Sequence, residues 1–108
     1  MSSPKESEQM QRIQLLEQNI QAVNAQKQQF QTQLFEIDGA LKELSTSPVA
    51  YKIIGGLMMA TDKETLTKEL TSKKELLELR IQTLEKQEKQ IKERVKKFQD
   101  EIMHKENS

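Results

Sequence analysis

The side chains best suited to chemistry are placed in this sequence so that they lack companions. His104 is the only histidine and lies close to the C-terminus. It has no second ligand for a metal ion and no nucleophile or carboxylate for a triad, so it reads as a solvated helix histidine. Cysteine is absent, which excludes disulfides and thiolate metal sites. The pair Gly55-Gly56 belongs to no phosphate-binding, dinucleotide-binding or zinc motif and is accounted for by a turn. Carboxylates are plentiful, but their positions fall on helix faces open to water, where nothing shifts their pKa toward acid or base work. Lys86, Lys89, Lys92, Arg94, Lys96 and Lys97 form a basic cluster that reads first as a solvated face and second as a dock for an acidic partner. The expectation is a protein that is not an enzyme, with no catalytic residue, no metal and no cofactor.

Composition narrows the classes further. Only 34% of the 108 residues are hydrophobic while 31% are charged, too little apolar material for a compact core but suited to long helices that bury one narrow stripe. Seventeen basic and seventeen acidic side chains cancel, so the global charge offers no footprint for nucleic acid. An RNA-binding arm over residues 86–97 would instead have to show strongly salt-dependent binding. The N-terminal run Met1-Ser2-Ser3-Pro4-Lys5-Glu6 has no apolar signal region, and no stretch approaches the roughly 18 to 20 apolar residues of a membrane span. A cytoplasmic protein without membrane contact is expected.

Two elements carry the periodicity. Ser3-Pro4-Lys5-Glu6 is a helix start, with a hydroxyl cap, proline at the first helical position and a glutamate three residues after the cap. From there Ile13, Leu16, Ile20, Val23, Lys27, Phe30, Leu34, Ile37, Leu41 and Leu44 follow alternating steps of three and four, the spacing of a coiled-coil seam. Ser45-Thr46-Ser47-Pro48 ends the run, because the residue before proline is pushed out of the α region. A second helix starts around Thr61-Asp62-Lys63-Glu64, where Thr61 and Glu64 have capping-box spacing. Its seam is Leu70, Lys74, Leu77, Ile81, Leu84, Glu88, Ile91, Val95, Phe98 and Ile102. Each arm of about 40 residues would extend roughly 60 Å at 1.5 Å per residue. If Leu44 faces Leu70, Lys27 falls within a turn of Glu88, and the two polar breaks in the seams could pair and set register; the alternative is that both reach out to water. Helix one is glutamine-rich on its outward positions, with ten Gln from Gln9 to Gln33.

Between the arms lies Ala50-Tyr51-Lys52-Ile53-Ile54-Gly55-Gly56-Leu57-Met58-Met59-Ala60. A loop joining antiparallel helices is ordinarily short and polar, whereas this one is two apolar runs around Gly-Gly, the pattern of a hairpin with a primed turn. Alternation puts Tyr51, Ile53, Met58 and Ala60 on one face and Lys52, Ile54, Leu57 and Met59 on the other. Both faces are mainly apolar, and an isolated two-stranded ribbon is marginal in water. Either several chains pair their hairpins edge to edge into a sheet or barrel, or the ribbon folds back on its own helix ends at Leu44, Leu66 and Leu70, which would cover one face only. The fold expected is mainly α: a long antiparallel coiled-coil hairpin, with helices over 4–46 and 62–105, and one central β-hairpin over 49–60 that assembles into an oligomeric β-barrel, all in a single domain over 1–108.

A heptad helix, one Tyr-Lys-Ile-Ile-Gly-Gly-Leu-Met-Met hairpin followed by Thr61-Asp62-Lys63, and a second heptad helix together resemble the β-type subunits of prefoldin, archaeal-like, over nearly the whole chain. Gly56 and Met58-Met59 depart from the family's usual residues without threatening the hairpin. The resemblance implies an ATP-independent chaperone: a hexamer of two α-type and four β subunits, joined through hairpins in a β-barrel platform from which six coiled coils hang. It implies that the coiled-coil tips hold non-native polypeptides and pass them to a cytosolic group II chaperonin, which the β tips also contact. Beside it, the residues themselves point to the tips. Met10, Ile13, Leu15 and Leu16 meet Phe98, Ile102 and Met103 where both termini fray, with Leu15 and Met103 off the seam; adaptable Met and aliphatic side chains suit clients of undefined shape. Tyr51, Ile53, Ile54, Gly55, Gly56, Leu57, Met58 and Met59 are the expected oligomerisation hairpin. The competing expectation is a coiled-coil scaffold or adaptor that joins a larger complex through its hairpin without holding clients.

Overall fold

A computed structural model describes residues 4–47 and 49–106; the side chains of 105 and 106 are not among the described features. The order is α1 (Pro4–Thr46), β1 (Ala50–Ile54), β2 (Leu57–Thr61) and α2 (Lys63–Glu106). The chain divides into two units, Gln29–Ile81 and the combination of Met1–Gln28 with Gln82–Ser108. In each, a stretch of α1 packs antiparallel against a stretch of α2.

In the unit Gln29–Ile81, seam residues Leu44, Leu77 and Ile81 are buried, and Phe30, Leu34, Ile37, Leu41 and Leu70 are half-buried. A leucine taken fully out of water contributes about 1.5–3 kcal/mol, so a stripe of this kind holds two helices that have little other reason to meet. Lys74 breaks the stripe and turns its Nζ to Asp38 Oδ1 at 2.8 Å, while Arg80 lies over the Phe30 ring, 5.7 Å from its centroid. Phe35, Leu76 and Leu79 stand off the seam and are exposed.

The end of α1 is built from hydroxyls. Ser45 Oγ donates to the Lys42 carbonyl at 2.6 Å and Thr46 Oγ1 to that of Glu43 at 3.1 Å. Both hydroxyls bond back to carbonyls one turn earlier, and the Ser47 N–H closes the last turn on the Glu43 carbonyl at 3.0 Å. The proline stop at Pro48 lies outside the described residues, as does the Ser3 cap at the other end. The start of α2 differs from the capping box expected of Thr61 and Glu64. Thr61 is the last residue of β2, and Asp62 is the cap, accepting from the Thr65 backbone N–H at 3.2 Å and from Thr65 Oγ1 at 2.8 Å. A carboxylate one residue nearer the helix satisfies the free N–H groups better than a hydroxyl still committed to a strand.

The strands pair antiparallel with Ile54 opposite Leu57, Ile53 opposite Met58, Lys52 opposite Met59 and Tyr51 opposite Ala60. Gly55 and Gly56 take φ of 56° and 83°, the left-handed values that a primed turn demands at both central positions. Open space surrounds both glycines, so their requirement is conformational rather than steric.

In the other unit, Leu84 is buried, while Ile13, Leu16, Ile20, Val23, Ile91, Val95, Phe98 and Ile102 are half-buried. Lys27 Nζ and Glu88 Oε2 meet at 3.4 Å, the pairing that the heptad register allowed. The glutamine-rich face is not outward throughout: Gln9 is buried at 8% exposure, because one further step of the seam beyond Ile13 falls on it.

Candidate functional site

Two surfaces collect the residues marked out by the sequence. The first is the hairpin. Tyr51, Ile53, Ile54, Leu57, Met58 and Met59 are all at least 50% exposed, on both faces of the ribbon. Folding back on the helix ends is not what this chain does: only Ala50 is buried there, and Lys52 is half-buried with its Nζ 3.0 Å from Glu69 Oε2. Within a single chain the ribbon therefore keeps two apolar faces and two open edges, the features by which strands add to strands of other chains.

The second surface lies at the terminal turns of the helices. Leu15, Leu16 and Phe98 line an open groove of about 480 Å³ together with Arg12, Asn19, Arg94, Lys97 and Glu101. Leu15 is 60% exposed; Leu16 and Phe98 form the half-buried floor. Met10 and Met103 are also exposed but do not line the groove. Ile13 and Ile102 remain half-buried on the seam. The expected set is thus divided among groove, seam and outer surface. Arg12 and Asn19 on its rim lie outside the expected set, and Arg94 and Lys97 belong by sequence to the basic cluster alone. Carrying the helix register one position to the side of the seam would have brought all four together with Leu15.

Electrostatics in both units follow local pairing. Hydrogen bonding from Lys92, at 2.8 Å, and then from Lys27 holds the Glu88 carboxyl below its ordinary value against the opposing effect of burial. Asp38 raises Lys74, and Thr65 lowers the cap Asp62. None of these groups lines the terminal groove. Among the described residues no cluster of His, Cys, Asp or Glu is arranged to hold a metal ion. His104 is exposed, beside Lys96, Lys97 and Asp100. No helix among the described residues is long and apolar enough to cross a membrane.

Paired antiparallel helices joined by one hairpin, with apolar side chains left open at the ribbon and at the terminal turns, are the features of a coiled-coil assembly subunit. A family model described as "Prefoldin subunit" matches residues 7–107. The prefoldin subunit beta of Methanothrix thermoacetophila is 41% identical over 102 residues, 92% of this chain and 85% of that one. That of Sulfurisphaera tokodaii is 35% identical over 102 residues, covering 92% and 82%. The crystal structure of the prefoldin beta subunit from Thermococcus strain KS-1 superposes with a TM-score of 0.89 at 34% identity, over 94% of this chain and 92% of that one. The chain belongs to the prefoldin family, among its β-type subunits. Members of this family are chaperone subunits, and the β subunits form hetero-oligomeric prefoldin complexes.

Proposed function

We propose that this chain acts as one prefoldin-like domain within an ATP-independent cytoplasmic holdase, capturing non-native polypeptides at the terminal turns of its helices and delivering them to a group II chaperonin. The hairpin joins it to an α-type subunit and to other β copies, in a hexamer of two α and four β chains. The observation that carries the capture reading is the groove at the terminal turns, where exposed Leu15 lies beside Leu16 and Phe98. An apolar floor open to solvent is costly for an isolated chain and useful to one that meets exposed apolar segments of others. Met10 and Met103 extend that surface with side chains that repack readily. Weak contacts on several arms of one assembly combine through effective concentration, so no single arm needs a deep pocket.

The test is truncation of the residues before Ile13 and after Lys97 in the complex formed with an α-type subunit. The oligomer persists by native mass measurement, and suppression of client aggregation is lost. Full suppression by the truncated complex would overturn the capture reading and favour a spacer or adaptor.

A further inference from the structure

Gln9 is the outermost described residue on the seam that is buried, at 8% exposure. Its Nε2 donates to Glu101 Oε2 at 3.2 Å. Its Oε1 is buried with no hydrogen-bond partner among the described residues. The carboxylate determines which way the amide points, since an ionised carboxylate only accepts and must face the NH2 end. The carbonyl end is then the one left over. A buried acceptor without a partner has given up its bonds to water and receives them back when the turn opens. Relative to an apolar layer, this layer shifts the balance toward opening. The seam residues that opening would release, Ile13 on α1 with Phe98 and Ile102 on α2, are half-buried already.

We propose that Gln9 is a positioning residue for polypeptide capture: through Glu101 it keeps the two terminal segments in register, and through its unpaired carbonyl it keeps them easy to separate. The proposal rests on the capture reading above. An apolar side chain at this position would zip the ends and withhold Ile13, Phe98 and Ile102 from a client. A carboxylate would set like charges against each other at Glu101 and splay the ends permanently. The neutral amide does neither. It makes one hydrogen bond across the helix pair and leaves one desolvated oxygen, so the closed state forms but is not deep.

The experiment compares the assembled complex carrying the native chain, Gln9→Leu or Gln9→Glu, by amide hydrogen exchange and by suppression of aggregation of a chemically denatured client. In Q9L, amides over residues 6–14 and 98–104 exchange about tenfold more slowly, the scale of relieving one buried unpaired acceptor. In Q9E they exchange faster, while residues 29–81 are unchanged in both. Client capture by Q9L falls several-fold. Unchanged exchange in Q9L overturns the role given to Gln9. Slowed exchange with undiminished capture also overturns it, and leaves the capture reading standing if the truncated complex described above is inactive; if that complex is active too, the capture reading itself fails.

Discussion

Lys27 of α1 and Glu88 of α2 meet across the seam at 3.4 Å with their side chains 22% and 15% exposed, and Glu88 is held from its other side by Lys92 at 2.8 Å. Both positions belong by spacing to apolar residues. Desolvation offsets much of the attraction in a partly buried pair at such positions, while every register that separates the two charges is penalised. Lys27→Leu and Glu88→Leu made singly are therefore expected to lower the melting temperature, because each leaves one partly buried charge alone. The double variant should melt at or above the native chain while losing uniqueness of register, read from crosslinks between α1 and α2. Equal melting of all three variants with one crosslink pattern would count against the pair as a register device.

Stability against pH should fall at both extremes, for different groups. Glu88 has a folded pKa below the ordinary glutamate value of 4.5, so its contribution is present above that value and is lost as pH falls through the folded one. Lys74 is raised above 10.5 by Asp38, so its contribution is present below that value and is lost as pH rises through the folded one. Helical melts by circular dichroism should hold a plateau between these limits. Glu88→Gln should reduce the decline on the acid side alone; parallel acid limbs in the native chain and the variant would contradict the assignment.

Gly56 holds φ of 83° in open space, so any side chain there meets backbone strain rather than a clash. Gly56→Val is expected to destabilise the turn by about 1–2 kcal/mol, whereas Gly55→Asn, which tolerates left-handed backbone, should be mild. Native mass spectrometry with an α-type subunit should show weakened assembly for Gly56→Val at unchanged helical content. Assembly at native affinity would argue that the hairpin does not carry the interface.

Burial separates seam from surface along the same helices. Leu77 is 7% exposed and Phe35 80%. Leu77→Ala should cost about 2–5 kcal/mol, and Phe35→Ala should stay within about 0.5 kcal/mol, both by denaturant melts of the complex.

Leu15 and Met103 are 60% and 59% exposed, unlike Ile13 and Phe98 on the seam. Leu15→Ser with Met103→Ser should weaken client capture several-fold without moving the melting curve, since neither residue supports the helix pair. Phe98→Ser should reduce both. Loss of stability in the first variant would place those side chains in packing rather than capture.

Much of this architecture was legible in the order of residues. The three-four spacing of Ile13 through Leu44 and of Leu70 through Ile102 names the buried and half-buried positions between those ends apart from Asn24 and Glu101, because a helix of 3.6 residues per turn turns such a stripe toward its partner. Gly55-Gly56 set the strand register in the same local manner, through φ values that other residues resist. Tertiary structure alone decided what depends on the partner helix. It assigned the α2 cap to Asp62 rather than Thr61, because the strand ran one residue further and kept Thr61. It turned Gln9 from an outward glutamine into a buried one opposite Glu101. It also drew Arg12, Leu15, Arg94 and Lys97 from two distant stretches of chain around one groove. Periodicity describes one helix at a time, whereas burial, orphaned polar atoms and grooves arise only between two.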